Sequence, residues 1–198
     1  MRYDAEHKQR TRERLLEEAA KAIRAEGPHK VGVAEVMARA GLTHGGFYAH
    51  FASKDDLVAE AVGQMFKEGG ARKVREMGEG RPPAEALRAY VTFYLSPGHR
   101  DARTFGCPLP FLSGDAPRLP EAARARFAQG AASLTQTFAG LLEQLGEPEP
   151  AALAASVLAE MVGAVVLARA EPDPARADTI LDHSRTSVMR RLGLEHDA

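Results

Sequence analysis

The sequence predicts an all-α fold, and three observations support that expectation. Apolar residues recur at the spacing of one helical face, as at Leu15, Leu16 and Ile23. Glycine and proline separate these periodic segments, for example at Gly27-Pro28. No segment alternates apolar and polar residues around a hairpin turn, which is the pattern typical of strands. We therefore expect helices joined by short turns, without a sheet.

The composition is that of an ordinary globular protein. Of the 198 residues, 44% are hydrophobic and 27% are charged, which provides enough apolar side chain for a core. Cys107 is the only cysteine, so an internal disulfide framework is excluded. The charged first residues are not followed by an apolar signal segment. We expect a cytoplasmic location.

Residues 151–168 form the most apolar stretch and have to be considered as a membrane span. Alanine, which is only weakly apolar, makes up much of the stretch. Glu160 lies near its centre, where a charge costs roughly 2.5 kcal/mol or more in a bilayer. We interpret the segment as a buried helix of a soluble protein with no membrane partner.

Charge is distributed unevenly along the chain. The whole sequence has a net charge of -1, but residues 1–54 contain ten Lys/Arg and seven Asp/Glu and so carry +3. Four of the seven histidines lie in the same segment. A basic amino-terminal region beside an acidic remainder favours nucleic acid as a partner.

The amino-terminal region predicts four helices, at residues 12–25, 33–40, 43–51 and 54–78. Gly41 suits the left-handed cap that ends the second helix. Thr43 and Ser53 are expected to cap the third and fourth helices. Glycines at 45 and 46 should each weaken the third helix by roughly 1 kcal/mol relative to alanine. Gly45 has two interpretations, close approach to DNA or packing, whereas packing is favoured for Gly46.

The remainder predicts one further helix at 84–95 and three long helices at about 120–145, 150–170 and 174–192. Between them, residues 96–120 are rich in glycine and proline. These residues prevent a long helix, so we expect one short helical turn there at most.

The second and third helices, joined by Gly41-Leu42-Thr43, have the size and spacing of a helix-turn-helix motif. In that motif the second helix enters the major groove of DNA. A tight helical hairpin without a role in DNA binding has the same spacing. The basic leader before the motif and the group Tyr48, His50 and Lys54 at its far end offer donors to phosphate oxygens. DNA binding is therefore the favoured interpretation.

At these residues the chain resembles the TetR family of bacterial transcriptional regulators. The resemblance lies in VAEVMARAGLT at 33–43, FYAHF at 47–51 and SKDDL at 53–57. It is specific over about the first 65 residues and architectural beyond them. It implies a DNA-binding domain at residues 1–53 and a helical ligand-binding and dimerisation domain at residues 54–198, connected by the helix at 54–78. It also implies a homodimeric repressor of about nine helices per subunit, released from a palindromic operator by a small ligand.

The resemblance also assigns the residues that contact DNA. Base edges are expected at the front of the recognition helix, and phosphates at its far end and along the basic leader. The expected DNA-binding residues are Arg2, Lys8, Arg10, Arg12, Thr43, His44, Gly45, Tyr48, His50 and Lys54. His44 is the main candidate for base contact, because the recognition helix contains no arginine for a bidentate pair with guanine.

The carboxy-terminal part is expected to bind a small, largely apolar ligand and to dimerise. The irregular segment 96–120 is the favoured mouth of a pocket. The candidate ligand-binding residues are Tyr90, Phe93, Tyr94, Phe105, Cys107, Leu109, Phe111, Phe127, Leu134, Phe138 and Met161. Polar groups within reach are Tyr94, Thr104, Gln129, Ser133, Gln136, Thr137 and Glu160.

Dimerisation follows from the geometry of DNA. A monomer binds only one half-site, whereas two half-sites roughly 34 Å apart require a two-fold dimer. Pairing of the last two helices into a four-helix bundle would supply it. The expected interface residues are Leu158, Val162, Val165, Ile180, Leu181, Ser184 and Val188.

The sequence is also compatible with other classes of function. As the only thiol, Cys107 could sense electrophiles or oxidants, although a buried free cysteine usually behaves as a small hydrophobe. A helical ligand-binding protein without DNA binding is a further alternative. The sequence contains no nucleophile elbow, phosphate loop or His-Glu-x-x-His helix, so we expect no enzyme, no metal site and no cofactor.

Overall fold

The computed structural model describes the backbone of residues 2–195 and the side chains of residues 6–195. This part of the chain contains ten α-helices, two short 3₁₀ helices and no strand, which confirms the all-α prediction. The α-helices are α1 (Arg2–Glu26), α2 (Val33–Arg39), α3 (Lys54–Gly69), α4 (Ala71–Gly78), α5 (Pro83–Tyr94), α6 (Pro97–Asp101), α7 (Leu109–Leu112), α8 (Glu121–Gln144), α9 (Pro150–Ala170) and α10 (Pro174–Arg191). The 3₁₀ helices are His44–Ala49 and Ala116–Arg118.

The chain divides into two compact units. The first consists of Met1–Glu68 and Arg103–Gly130, and the second of Gly69–Ala102 and Ala131–Ala198. In the first unit the apolar face predicted for α1 is buried, and α1 packs against α2. In the second unit α9 packs against α10 and α6, and α5 packs against α4 and α10.

Two predicted helices differ from those in the structure. The first helix begins at Arg2 rather than Arg12, because the polar leader also forms helical turns, supported by a 2.8 Å hydrogen bond from Gln9 to Glu13. The helix predicted over 54–78 is two helices, since α3 ends at Gly69 and Gly70 caps α4. Two successive glycines, both poor helix formers, explain the break.

The segment 96–120 contains more helix than the single turn expected. It forms α6, α7 and the second 3₁₀ helix, none longer than five residues. Proline favours the first positions of a helix, where its missing N–H is not needed. Pro97 begins α6 in this way, and the Ser96 hydroxyl accepts a hydrogen bond from the backbone N–H of His99 (3.2 Å).

Helix α9 is long and apolar enough to cross a membrane by length and composition alone, with a mean hydropathy of 2.1 in its most apolar stretch. Core helices of soluble proteins pass the same test. Seven side chains of α9, including Val157, Met161 and Val165, are buried in the second unit.

Within the first unit, α3 contacts the beginning of α8 through a glycine. A Cβ atom on Gly130 would lie only 2.2 Å from Cγ of Phe66, so the ring occupies the space that a side chain would need. Phe66 also meets Phe127 edge to face at 5.8 Å. Glu60 accepts hydrogen bonds from Arg12 of α1 (3.3 Å) and Arg126 of α8 (2.9 Å).

The second unit buries an uncharged histidine. His99 is 2% exposed, and its Nδ1 lies 2.8 Å from the carbonyl oxygen of Tyr94. Burial lowers the pKa of His99 to about 4, and the nearby charge of Arg169 acts in the same direction. The ring is therefore neutral near pH 7, with the Nδ1 proton donated to the Tyr94 carbonyl.

Substitution Gly130→Ala is expected to lower the free energy of unfolding by about 1–3 kcal/mol, because the new methyl group must displace the Phe66 ring. Urea denaturation at fixed protein concentration measures the change. Gly140→Ala in the same helix is the control, since a Cβ there meets nothing within 4 Å and alanine favours helix. Equal stability of Gly130→Ala and wild type would contradict the contact.

Acid is expected to destabilise the protein partly through His99. In the unfolded chain its pKa is near 6.5, so between pH 6.5 and 4 the unfolded state binds a proton that the native state does not. Proton binding by the unfolded state therefore lowers the free energy of unfolding by on the order of 3 kcal/mol as the pH falls from 6.5 to 4. Urea denaturation of wild type and His99→Gln at several pH values isolates this contribution. Parallel pH profiles for the two proteins would show the prediction to be wrong.

Candidate nucleic-acid interface and ligand site

A tight turn joins α2 to the first 3₁₀ helix. The Gly41 N–H donates to the Ala38 carbonyl (2.9 Å), and the Leu42 N–H donates to the Met37 carbonyl (2.8 Å). These two bonds form a Schellman motif, which requires a left-handed residue. Gly41 provides it with φ +69°, as its sequence position predicted.

The expected recognition helix is a 3₁₀ helix over His44–Ala49. Its bonds span three residues, as from the Gly46 N–H to the Thr43 carbonyl (3.1 Å). The two glycines disfavour a regular α-helix here. A Cβ on Gly46 would lie 3.5 Å from Cε of Met37, which supports the packing interpretation, whereas Gly45 borders open space.

The capping predictions have different outcomes. Ser53 caps α3, because its hydroxyl accepts a hydrogen bond from the Asp56 N–H (3.1 Å). Asp56 in turn accepts one from the Ala52 N–H (3.0 Å), which resembles a capping box. Thr43 occupies the N-cap position but makes no side-chain capping bond, so that prediction is wrong.

The front of the motif presents polar groups to solvent. Thr43, His44 and Gly45 are exposed, and Tyr48 is 74% exposed. Phe47 lies beneath them, 2% exposed, with its ring edge to face with Tyr48. The arrangement separates an inner apolar side from an outer hydrogen-bonding side.

Several of the predicted phosphate contacts are exposed cations. Lys8, Arg10 and Lys54 are exposed, and Lys54 Nζ lies 3.4 Å from the His29 carbonyl oxygen. Burial lowers the pKa of His50 below its ordinary value, and the charges of Lys8 and Arg12 add to that effect.

Exposure to DNA is not shown for two of the predicted contacts, Arg12 and Arg2. Arg12 is engaged within the fold, because it pairs with Glu60 and lies over the Phe51 ring at 5.0 Å. The side chain of Arg2 lies outside the described residues.

The candidate ligand-binding residues are divided between the two units. Phe105, Cys107, Leu109, Phe111 and Phe127 belong to the first unit, whereas Tyr90, Phe93, Tyr94, Leu134, Phe138 and Met161 belong to the second. All of the latter except Phe93, which is half-buried, are fully buried.

Aromatic contacts join several members of the second group. Tyr90 lies against Tyr94 at 5.6 Å and Phe138 at 5.4 Å, measured between ring centroids. Cys107 is 2% exposed, but Phe105 is 63% exposed and so lies on the surface rather than in a core.

The expected interface residues are also divided by burial. Leu158, Val165, Leu181 and Val188 are buried within the protomer, and Val162, Ile180 and Ser184 are partly exposed. An exposed apolar stripe on α9 lies outside the predicted interface residues and is formed by Ala152, Ala155, Ala159, Val166 and Leu167. Because α9 is apolar on every side, periodicity gives no signal for its outer face.

Metal chemistry finds no support among the residues that the structure describes. No group of three or more His, Cys, Asp or Glu side chains there could hold an ion.

Known proteins provide an independent comparison. Residues 15–61 match the sequence model described as bacterial regulatory proteins, tetR family. No curated protein matches the chain.

The whole fold is similar to solved structures of transcriptional regulators. One from Agrobacterium tumefaciens is 26% identical, with a TM-score of 0.78, and the match covers 92% of this chain and 98% of that one. Another, from Chloroflexus aurantiacus, is 25% identical over 95% of this chain and 96% of that one, with a TM-score of 0.78. SCO4454 from Streptomyces coelicolor is 26% identical, with a TM-score of 0.72, and the match covers 92% of this chain and 95% of that one. Residues 15–61 therefore carry the amino-terminal sequence signature of the tetR family of bacterial regulatory proteins, and the fold of the chain is similar to that of solved TetR-family regulators.

Proposed function

We propose that this chain is a homodimeric, cytoplasmic repressor that binds a palindromic operator and leaves it when a small ligand binds. The exposed 3₁₀ helix His44–Ala49 is the main support. Its outer side carries donors and acceptors suited to base edges, and Lys8, Arg10 and Lys54 are exposed cations able to meet phosphates. Base contacts from the recognition helix together with phosphate contacts from residues outside it are typical of helix-turn-helix proteins.

Dimerisation is proposed through the outer face of α9. Leu167 and Val166 are 62% and 40% exposed, although large aliphatic side chains favour burial. Together with Ala152, Ala155 and Ala159 they form a stripe at helical spacing. Val162, Ile180 and Ser184 remain in the proposed interface because they are partly exposed.

Thiol sensing through Cys107 receives less support. Electrophiles and oxidants react with accessible thiolates, but the Cys107 side chain is 2% exposed. We therefore place Cys107 among the packing residues.

His44→Ala is expected to reduce the preference for the operator over an unrelated duplex, because it removes a base contact. Lys54→Ala is expected to weaken both duplexes alike and to lower the salt dependence of binding by about one unit of slope. Fluorescence anisotropy over a range of salt concentrations measures both, using an operator selected from random duplexes.

Lys67→Ala is the matched control, since it removes an exposed lysine at the opposite end of α3. Equal losses on both duplexes for His44→Ala would reject its role in base recognition. Absence of salt-dependent DNA binding by the wild type would reject the proposed function and favour a ligand-binding protein.

Leu167→Glu is expected to weaken the dimer by about tenfold or more, because burial of an unpaired carboxylate is costly. Sedimentation equilibrium measures the dissociation constant. Leu145→Glu is the control, because Leu145 is an exposed leucine (43%) outside the stripe, in the turn after α8. A dimer equally stable in both variants would place the interface elsewhere.

A further inference from the structure

A cleft of about 340 Å³ lies between α4 and α8 in the second unit. Its volume falls within the roughly 300–1,000 Å³ typical of sites for small molecules. The lining residues are Val74, Arg75, Gly78, Gln136, Thr137, Gly140, Leu141 and Gln144. Gly78 and Gly140 belong to opposite walls, and a Cβ on Gly140 would meet nothing within 4 Å. The missing side chain of Gly140 helps to create the space, whereas a Cβ on Gly78 would lie 3.0 Å from Cβ of Ala86.

The guanidinium group of Arg75 gives the cleft a positive charge, and no carboxylate in the lining neutralises it. Its lining contains one arginine and no carboxylate. Arg75 forms no ion pair with any carboxylate that the structure describes, whereas Arg72 of the same helix pairs with Glu76 at 2.6 Å. A guanidinium group that no carboxylate neutralises is suited to an anionic ligand.

Two glutamine amides on the opposite wall, those of Gln136 and Gln144, add hydrogen-bond donors for an anion. The Gln136 side chain makes no hydrogen bond within the described residues, so its amide is available to a ligand. Thr137 donates to the Ser133 carbonyl (2.9 Å), and Gln144 donates to the Gly140 carbonyl (2.9 Å). Gln144 retains a second amide hydrogen that an anion can accept, whereas Thr137 has no donor left.

The apolar part of the cleft lining favours an organic anion over an inorganic one. Leu141, which is partly exposed, and Val74, which is 1% exposed, line the cleft beside the polar groups. An inorganic anion would leave this surface in contact with water, whereas an organic acid would cover it. A guanidinium group binds a carboxylate through two parallel hydrogen bonds.

We propose that the α4–α8 cleft binds a small organic carboxylate, whose acid group pairs with Arg75 and whose apolar body lies on Val74 and Leu141. The assignment of this ligand as the effector rests on the proposed function. Helix α4 is joined to α3 by Gly70 alone, and α3 follows the recognition element in the chain. Occupation of a cleft walled by α4 therefore acts on the segment directly connected to the DNA-binding region.

Calorimetric titration with 4-phenylbutyrate and with 4-phenylbutan-1-ol tests the site, because the two probes differ in the acid group. The acid is expected to bind the wild type at millimolar concentration and the alcohol about tenfold more weakly. Arg75→Gln should weaken binding of the acid by about tenfold or more, and Arg72→Gln should leave it unchanged. Gly140→Leu should abolish binding without loss of stability, because the new side chain fills open space.

Three results would overturn the site: no binding of 4-phenylbutyrate to the wild type, equal binding of acid and alcohol, or an unchanged affinity in Arg75→Gln. The role as effector has its own test, in which 4-phenylbutyrate should release the wild type from operator DNA but not the Arg75→Gln variant. Binding of the acid without release would overturn the effector assignment alone. Failure of the ligand-free protein to bind DNA would overturn the proposed function and leave the carboxylate site standing.

Discussion

The surface proposed to contact DNA depends on the burial of Phe47 and Phe51. A six-residue 3₁₀ helix with two glycines has little stability of its own. Both rings are 2% exposed and lie 5.7 Å apart. Full burial of a phenylalanine contributes about 1.5–3 kcal/mol, so these two side chains stabilise the element more than its own hydrogen bonds do. Their inward position places His44 and Tyr48 on the outer side.

The orientation of α3 is set by two different kinds of contact within the first unit. Phe66 fills the space left by Gly130 and therefore fixes the separation of α3 and α8 by steric contact. Glu60 contacts both Arg12 and Arg126, so one carboxylate joins α1, α3 and α8. Partly exposed ion pairs contribute little stability. Packing of Phe66 therefore supplies most of the stability at this contact.

The sequence predicted most helices because periodicity and local chemistry agree there, as at Gly41 and Ser53. It missed the break at Gly70 because apolar periodicity continues on both sides of the two glycines. It placed Leu158 and Val165 at the dimer interface because α9 is apolar all round, and only the packing of its neighbours decides which face is covered. Exposure, unlike helix formation, is a property of the tertiary structure.

The same reasoning applies to the aromatic residues that were predicted to line a pocket. Tyr90, Tyr94 and Phe138 were expected near a pocket, but their rings contact one another and fill the core of the second unit. Large side chains remove space when they pack well, because protein interiors approach the density of organic crystals. The proposed α4–α8 site instead has open space at Gly140, in a cleft lined by an arginine that no described carboxylate neutralises. A ligand site is therefore better sought where small residues coincide with an uncompensated charge.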